Sequence, residues 1–320
     1  KLFIALKSQV DFTAALTSPP PRTAFSNKVF WITGASSGIG RALALHLCSN
    51  HDNTNLILSS RREKALQEVA SECEEKGSGA QIKILPLDLA DIGALKSKAE
   101  TAIALFDGRI DILVNNGGVS TRAMARDSTF EVHPFVMNVD FLSYVALTKA
   151  LLPTWELQIS ANNKAGLKTR PIIINTSSFV GRLAAPVRTI YSGAKHAIMG
   201  WYDAFRLEQM IVGYPIDVLN VVLGSARTNV AKNGITESPD KKFGGKDDNI
   251  ENGLEPAFVV ERILASAYAG QDELWIAPRK ELFLLYLNQY IPITAKKILG
   301  KAVAKQYAVQ NEKTGEEKEL

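Results

Sequence analysis

The chain has 320 residues, 46% of them hydrophobic, and a formal net charge of +4 at pH 7. This hydrophobic fraction is ample for a folded core, and α/β folds of similar size often form one domain. The 37 basic residues are spread along the chain rather than gathered into runs interleaved with aromatic residues. We therefore predict no binding of nucleic acid. The two cysteines and four histidines lack the close spacing of metal ligands, so no metal cofactor is predicted.

Apolar runs bounded by turn residues predict seven β-strands, with helical patterns between most of them. This alternation indicates an α/β fold, a single Rossmann-type domain with a doubly wound, seven-stranded parallel sheet and helices on both faces. Right-handed crossovers predict the strand order 3-2-1-4-5-6-7. We place the domain at 27–278, between an apolar N-terminal extension, 1–26, and a helical C-terminal extension with a polar tail, 279–320. The predicted strands are 29–32, 56–58, 82–87, 110–115, 172–177, 216–222 and 274–277, and a solvated loop is predicted at 160–171.

The first predicted strand runs into a glycine-rich turn. Residues 33–40 are Thr-Gly-Ala-Ser-Ser-Gly-Ile-Gly, and a helical pattern follows. Glycines in such a turn let backbone N–H groups and a helix N-terminus approach a pyrophosphate without interference from a Cβ atom. The sequence therefore predicts a dinucleotide site here, although the Gly-x-x-x-Gly-x-Gly spacing differs from the common fingerprint.

Cofactor choice is predicted from the residues after the second strand. Enzymes that select NAD commonly place an acid about 20 residues beyond the glycine turn, where it binds the ribose 2′-hydroxyl. This chain has Ser59, Ser60, Arg61 and Arg62 instead. A bound 2′-phosphate explains Arg61 and Arg62 and predicts NADP, with Ser37 and Arg41 as further candidate contacts; the alternative is an ordinary exposed arginine pair.

Tyr191 and Lys195 lie four residues apart in Tyr-Ser-Gly-Ala-Lys, a spacing that places a phenol and an ammonium on one helix face. The field of the charged lysine favours the tyrosinate form, so the pair is suited to proton transfer. Ser178 closes the fifth predicted strand, thirteen residues before Tyr191, and Asn115 closes the fourth. In an open parallel sheet the carboxyl ends of the strands form the edge where ligands bind.

With these motifs in this order, residues 27–277 resemble the short-chain dehydrogenase/reductase family. That family carries Thr-Gly-x-x-x-Gly-x-Gly, matched by 33–40, and Asn-Asn-Ala-Gly, matched by 115–118 with Gly117 in place of the alanine. The resemblance implies a catalytic set of Asn138, Ser178, Tyr191 and Lys195, in which Asn138 holds a water of the proton relay. It also implies cofactor contacts from Gly34, Ser36, Ser37, Gly38, Ile39, Gly40, Arg61, Arg62, Asp88, Leu89, Asn115, Gly117, Tyr191, Lys195, Gly224 and Thr228.

One position departs from the family pattern. The family usually has Pro-Gly after the sixth strand, and this chain has Leu223 and Gly224. Losing the proline relaxes the turn near the nicotinamide amide. The long polar segment that follows, 224–255, is predicted to be a mobile lid over the substrate, the alternative being a surface loop unconnected with substrate.

The predicted activity is reversible, NADP(H)-dependent hydride transfer to or from a carbonyl or alcohol of a small, lipophilic substrate such as a steroid or retinoid. The alternative is a catalytically idle relative that uses bound dinucleotide as a structural or redox signal for a protein partner. Within the family, the chain is most similar to the branch with 11β-hydroxysteroid dehydrogenase type 1 and related microsomal dehydrogenase/reductases. That resemblance implies NADP(H).

The two ends of the chain predict peripheral membrane contact. Leu2, Phe3 and Ile4 make the N-terminus apolar, and 282–298 is apolar but interrupted by Pro292 and followed by lysines. Such segments are too broken to span a bilayer but are suited to its interface. The alternative is packing on the domain or on a second subunit of a homodimer or tetramer. The predicted location is the endoplasmic reticulum membrane, with residues 317–320 weakly similar to a retention signal, or alternatively the cytoplasm.

Overall fold

The fold is a seven-stranded parallel sheet with helices on both faces, as the sequence predicts. The computed structural model describes residues 1–167 and 170–314, the side chains of 305–314 excepted; the retention-like tetrapeptide lies outside this part. The strand order is 3-2-1-4-5-6-7, which confirms the predicted topology. The strands are β1 Val29–Thr33, β2 Asn55–Ser59, β3 Gln81–Ile84, β4 Ile112–Asn115, β5 Ile172–Thr176, β6 Asp217–Leu223 and β7 Glu273–Ile276.

Two expectations on element bounds were wrong. β3 ends at Ile84 rather than at residue 87, although the N–H groups of Leu85 and Leu87 still donate to the carbonyl oxygens of Leu58 and Ser60, and Asp88 lies in the connection beyond the strand. The segment expected to be a loop from Ser160 is helical as far as Lys164. The helices are α1 Leu2–Ser8, α2 Gly38–Asn50, α3 Glu63–Glu74, α4 Leu95–Ala104, α5 Val132–Met137, α6 Ser143–Lys164, α7 Thr189–Val212, α8 Asp248–Glu251, α9 Pro256–Tyr268, α10 Arg279–Tyr290 and α11 Pro292–Thr314.

Two apolar layers hold the helices to the sheet. On one face α2, α3 and α9 pack through residues such as Leu43, Leu66 and Ile263. On the other face α4, α6 and α7 pack through residues such as Leu95 and Leu147. Because both faces are covered, the central strands are almost continuously apolar rather than alternating. The site therefore forms at the carboxyl edge of the sheet, where side chains leave the core.

One stretch of the described residues, Val132–Lys164, is long and apolar enough to cross a membrane by length and composition. It comprises α5, a π-helical turn at Asn138–Leu142 and α6. Tyr144, Leu147 and Trp155 on this stretch are fully buried in the core. These contacts identify it as a core helix of the α/β fold.

The two ends of the chain meet on the β7 side of the sheet. Ala5 of α1 is buried with Leu282 and Leu285 of α10. Val10 forms an antiparallel bridge with Ile276, the last residue of β7. The N-terminal segment therefore covers the sheet edge and lies beside the C-terminal helices.

Candidate functional site

The glycine turn lies at the carboxyl end of β1 and packs tightly against the turn after β4. Gly34 has a φ of 67°, and a Cβ atom on it would lie 2.7 Å from the Cα of Gly117. A Cβ on Gly117 would meet Leu89 at 2.5 Å. Thr33 joins the two turns, because its Oγ1 accepts hydrogen bonds from the backbone N–H groups of Asn116 and Gly117. Glycine is required at Gly34, where φ is positive and the clash is with backbone, and this keeps that end of the cleft open to a pyrophosphate; at Gly117 the neighbour is the end of the flexible Leu89 side chain.

The cofactor contacts predicted from the sequence fall into two groups. Most of them line one continuous cleft of about 1150 Å³ that runs along the carboxyl edge of the sheet. Gly40 does not line it; a Cβ there would lie 2.5 Å from the carbonyl oxygen of Gly34, so its role is close packing of α2 on the turn. Asn115 is fully buried and donates to Asn175 on β5, and the following residue, Asn116, lines the cleft.

Two arginines mark the end of the cleft beyond β2. Nη2 of Arg62 donates to the hydroxyls of Ser36 and Ser37 in the glycine turn, at 3.0 Å each. Arg61 lines the same end of the cleft together with Asp88. Arg41, by contrast, pairs with Glu72 and does not line the cleft. The hydroxyls and guanidinium groups at this end are suited to binding a phosphate.

Tyr191 and Lys195 lie on one face of α7 and both line the cleft, as the four-residue spacing predicts. The Nζ atom of Lys195 lies 5.6 Å from the centre of the Tyr191 ring and donates to the carbonyl oxygen of Thr176 at 3.0 Å. Burial opposes the charge on this ammonium, but Asp140, Tyr144 and Tyr191 outweigh it, so the pKa of Lys195 is raised. Lys195 is therefore a fixed positive charge beside the phenol.

The residue that pairs with this lysine is Asp140. Its Oδ2 lies 3.4 Å from Nζ of Lys195, and its Oδ1 accepts from the backbone N–H of Val119 at 2.7 Å. Complete burial raises the pKa of Asp140, and the charge of Lys195 opposes that rise. Asn138, which the resemblance assigned to hold a water of the proton relay, does not line the cleft. Asp140, which the sequence analysis did not name, is therefore the carboxylate partner of Lys195.

The sequence analysis missed Asp140 because the family's catalytic set contains an asparagine, and Asn138 was chosen as the matching residue type. The π-helical turn at Asn138–Leu142 changes the helical register just there, and such turns often occur at functional sites. One signal was present: Asp140 is the single carboxylate between Val132 and Ser143. A charged side chain inside an apolar helix calls for a partner.

Ser178 follows β5 and caps a short 3₁₀ turn, Phe179–Gly181. Its Oγ accepts from the backbone N–H of Val180 at 3.4 Å, and the residue lines the cleft with Tyr191 and Lys195. The preceding Ser177 is buried and donates to the carbonyl oxygen of Lys195 at 3.1 Å. This bond ties the end of β5 to α7. The structure thus brings Ser178, Tyr191 and Lys195 to the same cleft.

The connection between β6 and α9, residues 224–255, covers the cleft and is called the lid below. Ile235 of the lid is buried and bridges Thr121, and Ala226 bridges Leu254. Gly224 starts the lid, where a Cβ would meet Glu281 at 2.4 Å and Ala277 at 2.5 Å. A side chain at position 224 would push the lid away from α10.

Comparison with known proteins agrees with this geometry. The family model described as short chain dehydrogenase matches residues 28–238. The chain belongs to this family. It is therefore an oxidoreductase with a Rossmann-type fold that uses a nicotinamide dinucleotide and acts on small molecules.

Two curated relatives extend the match to most of the chain. The human dehydrogenase/reductase SDR family member 7 is 33% identical over 298 residues, which cover 92% of this chain and 83% of the relative. Member 7B from Xenopus tropicalis is 32% identical over 265 residues, which cover 82% of this chain and 81% of the relative.

Solved structures share the fold at lower identity. A short chain dehydrogenase/reductase from Burkholderia phymatum, in complex with NAD, superimposes with a TM-score of 0.67 at 21% identity, covering 83% of this chain and 94% of that one. An archaeal alcohol dehydrogenase from Thermococcus sibiricus, complexed with 5-hydroxy-NADP, gives a TM-score of 0.63 at 21% identity, covering 79% and 97%.

Proposed function

We propose that this protein transfers hydride between NADP(H) and a carbonyl or alcohol carbon of a lipophilic small molecule. The observation that carries the proposal is the side-chain set along one cleft: the glycine turn at one end, and Ser178, Tyr191 and the Lys195–Asp140 pair at its centre. Bound nicotinamide supplies or accepts the hydride. All other steps are assigned to side chains of this chain.

In carbonyl reduction, Tyr191 donates its phenolic proton to the substrate oxygen, and Ser178 holds that oxygen by a hydrogen bond. Lys195 stabilises the resulting phenolate, since its ammonium is buried close to the Tyr191 ring. Asp140 and the carbonyl oxygen of Thr176 hold Lys195 in place. In alcohol oxidation the same groups act in the opposite direction, with Tyr191 as the base.

NADP rather than NAD is proposed on the charge at the ribose end of the cleft. Arg61 and Arg62 lie there, and Arg62 already binds two hydroxyls of the glycine turn. A 2′-phosphate adds two negative charges for these guanidinium groups to bind.

A lipophilic substrate is proposed on the walls of the cleft. Phe179 and Val180 after β5, and Leu284, Leu299 and Val303 from the C-terminal helices, line it. Apolar walls with a few convergent polar groups are typical of sites for small apolar ligands.

Peripheral membrane association, with the endoplasmic reticulum membrane as the location, is proposed on the apolar surface shared by α1, α10 and α11. Phe3, Tyr290 and Ile293 are each exposed by 70% or more, and Lys296 and Lys297 are exposed beside them. A homodimer or tetramer is proposed on a separate apolar surface at the end of α7, where Met210 and Ile211 are exposed.

The test is NADPH consumption with a panel of carbonyl substrates, using wild type and Tyr191→Phe. The variant keeps the ring but loses the proton donor, so turnover should fall by at least about 10²-fold while NADPH binding is retained. Tyr268→Phe, an exposed phenol on α9 outside the cleft lining, is the matched control. Equal turnover in Tyr191→Phe would contradict the assignment, and retained cofactor binding without turnover of any substrate by wild type would favour the idle relative.

A further inference from the structure

Two arginines from different parts of the chain meet one carboxylate of the lid. Nη2 of Arg122, in the connection after β4, lies 3.0 Å from Oδ2 of Asp247. Nη2 of Arg188, the residue before α7, lies 3.0 Å from the same oxygen. Arg188 is three residues from Tyr191, so this cluster lies close to the reacting centre.

The cluster is well buried and firmly supported. The side chains of Arg122, Arg188 and Asp247 are 8%, 25% and 10% exposed. Nη1 of Arg122 donates to the hydroxyl of Ser120 and to the carbonyl oxygen of Thr121. These two bonds hold the guanidinium group in place. Burial and the neighbouring Arg188 lower the pKa of Arg122, which reflects the cost of holding two cations here.

Basic side chains outnumber acidic ones in the part of the cleft around the cluster. Two acids in the part of the cleft beyond the glycine turn, the substrate part, already have partners. Asp140 pairs with Lys195, and Glu281 accepts hydrogen bonds from the hydroxyl and N–H of Ser225. In this part of the cleft, counted over the described residues, the cations are Arg122, Arg188, Lys195, Lys242, Lys246 and Lys280, and the acids are Asp140, Asp247, Asp248 and Glu281. Lys246 pairs with Glu251, and the charge of Arg188 also acts on Glu281, but among the described residues Asp247 is the carboxylate that pairs with both arginines, through a single oxygen.

We propose that Arg122 and Arg188 bind a carboxylate of the substrate, and that the carboxylate of Asp247 occupies this site until substrate displaces it. The inference rests on the proposed function and narrows its substrate class to lipophilic oxo-acids and hydroxy-acids. The carboxylate binds the two guanidinium groups, and the carbonyl reaches Tyr191 and Ser178. The apolar part between them lies along Leu284 and Leu299, which line the same cleft.

Matched acids and esters test the inference in the wild-type protein. A series of oxo-acids of increasing length, and the methyl ester of each, is assayed with NADPH. Charge-assisted hydrogen bonds to a carboxylate predict that kcat/KM for the best acid exceeds that of its ester by about 10- to 100-fold. Equal kcat/KM for acid and ester across the series would overturn the inference while leaving the proposed function in place.

Substitutions distinguish a substrate-binding site from a latch, that is, an ion pair that only holds the lid in place. Arg188→Gln and Arg122→Gln should each raise KM for the acids and leave KM for the esters nearly unchanged. Arg122 is the more buried of the two, so if Arg122→Gln does not fold, Arg188→Gln decides the test. Asp247→Asn removes the competing carboxylate and should lower KM for the acids only. The control is Arg126→Gln, an exposed arginine outside the cleft lining. Acid and ester changing together in Asp247→Asn would overturn the inference in favour of a latch.

Calorimetry distinguishes failure of this inference from failure of the proposed function. Acid and ester are titrated into the protein with NADP present. Binding of the acid but not the ester, abolished by Arg188→Gln, supports the carboxylate site even if no carbonyl compound is turned over. Binding of neither compound, with no preference for acids in turnover, overturns it.

Discussion

At the scale of single residues, the site depends on a lysine whose charge is maintained despite complete burial. Nζ of Lys195 has one carboxylate partner, Asp140, at 3.4 Å and one carbonyl partner, Thr176, at 3.0 Å. Asp140 offsets part of the positive field that Lys195 exerts on Tyr191. An asparagine of nearly the same shape would leave that field uncompensated.

Asp140→Asn is therefore expected to shift the pH dependence of alcohol oxidation. Raising the field of Lys195 favours the tyrosinate that acts as the base, so the acid limb of the kcat/KM profile should move to lower pH by about one unit, or about 1.4 kcal/mol. The measurement is kcat/KM against pH for the variant, for wild type and for Asp127→Asn, an exposed carboxylate, as control. An unchanged acid limb would contradict the role given to the Asp140 charge in setting the field on Tyr191.

The choice of cofactor is also decided by single residues. Arg61→Ala and Arg62→Ala should each raise KM for NADPH by about tenfold or more and change KM for NADH little, since each removes a charge-assisted contact that only a 2′-phosphate makes. Arg41→Ala is the matched control, because Arg41 pairs with Glu72 outside the cleft. A similar rise in KM for both cofactors would contradict a role in phosphate recognition.

At the scale of elements, the lid combines anchored positions with exposed ones. Backbone hydrogen bonds of Ile235 with Ser120 and Arg122, and the ion pairs of Asp247, connect it to the rest of the fold. Exposed lysines such as Lys232 and Lys242 lie on it. Segments held in this way open locally at a low free-energy cost.

We expect trypsin to cut the lid at Lys232, Lys241 or Lys242 when the protein is free, and more slowly when NADP and a substrate analogue are both bound. Cutting after Lys76, in an exposed turn outside the cleft, is the internal control and should keep the same rate. The sites are identified by mass spectrometry at intervals of digestion. Unchanged cutting of the lid would make it a surface loop unconnected with substrate.

At the scale of the whole molecule, the two chain ends combine into one apolar surface. α1 packs beside α10, so Phe3 and Ile293 both belong to the surface formed by the chain ends rather than to the core of the sheet. Burying apolar area contributes about 25 cal/mol per Å², and nearby lysines are attracted to anionic headgroups. A few hundred Å² is enough for reversible binding to a bilayer surface.

The protein is expected to float with anionic liposomes in a density gradient and to be released in part by salt. The double variant Phe3→Ser, Ile293→Ser should bind less, and Leu157→Ser, which replaces an equally exposed residue on α6, should bind like wild type. Deleting α10 is a poorer test because Leu282 and Leu285 are buried. A salt-insensitive dimer that stays with the soluble fraction would contradict membrane contact and favour a second subunit on this surface.

The strand pattern and the local motifs were predictable from the sequence because they depend on near neighbours along the chain. Periodicity located all seven strands, and the right-handed crossover rule then determined their order. The four-residue spacing of Tyr191 and Lys195 placed them on one helix face, and the glycine turn after β1 needed only its own backbone geometry. Errors occurred at the ends of elements, where β3 stops at Ile84 and α6 continues to Lys164.

The sequence by itself thus predicted the fold, the glycine turn at one end of the cleft and the shared helix face of Tyr191 and Lys195. Only the tertiary structure showed that Asp140, within a π-helical turn, meets Lys195, because that contact depends on how α7 packs against this turn. It alone joined Arg122, Arg188 and Asp247, which are far apart in sequence and meet where two connections and a helix start converge. Contacts of that kind depend on how the elements pack, and no local pattern of residues encodes them.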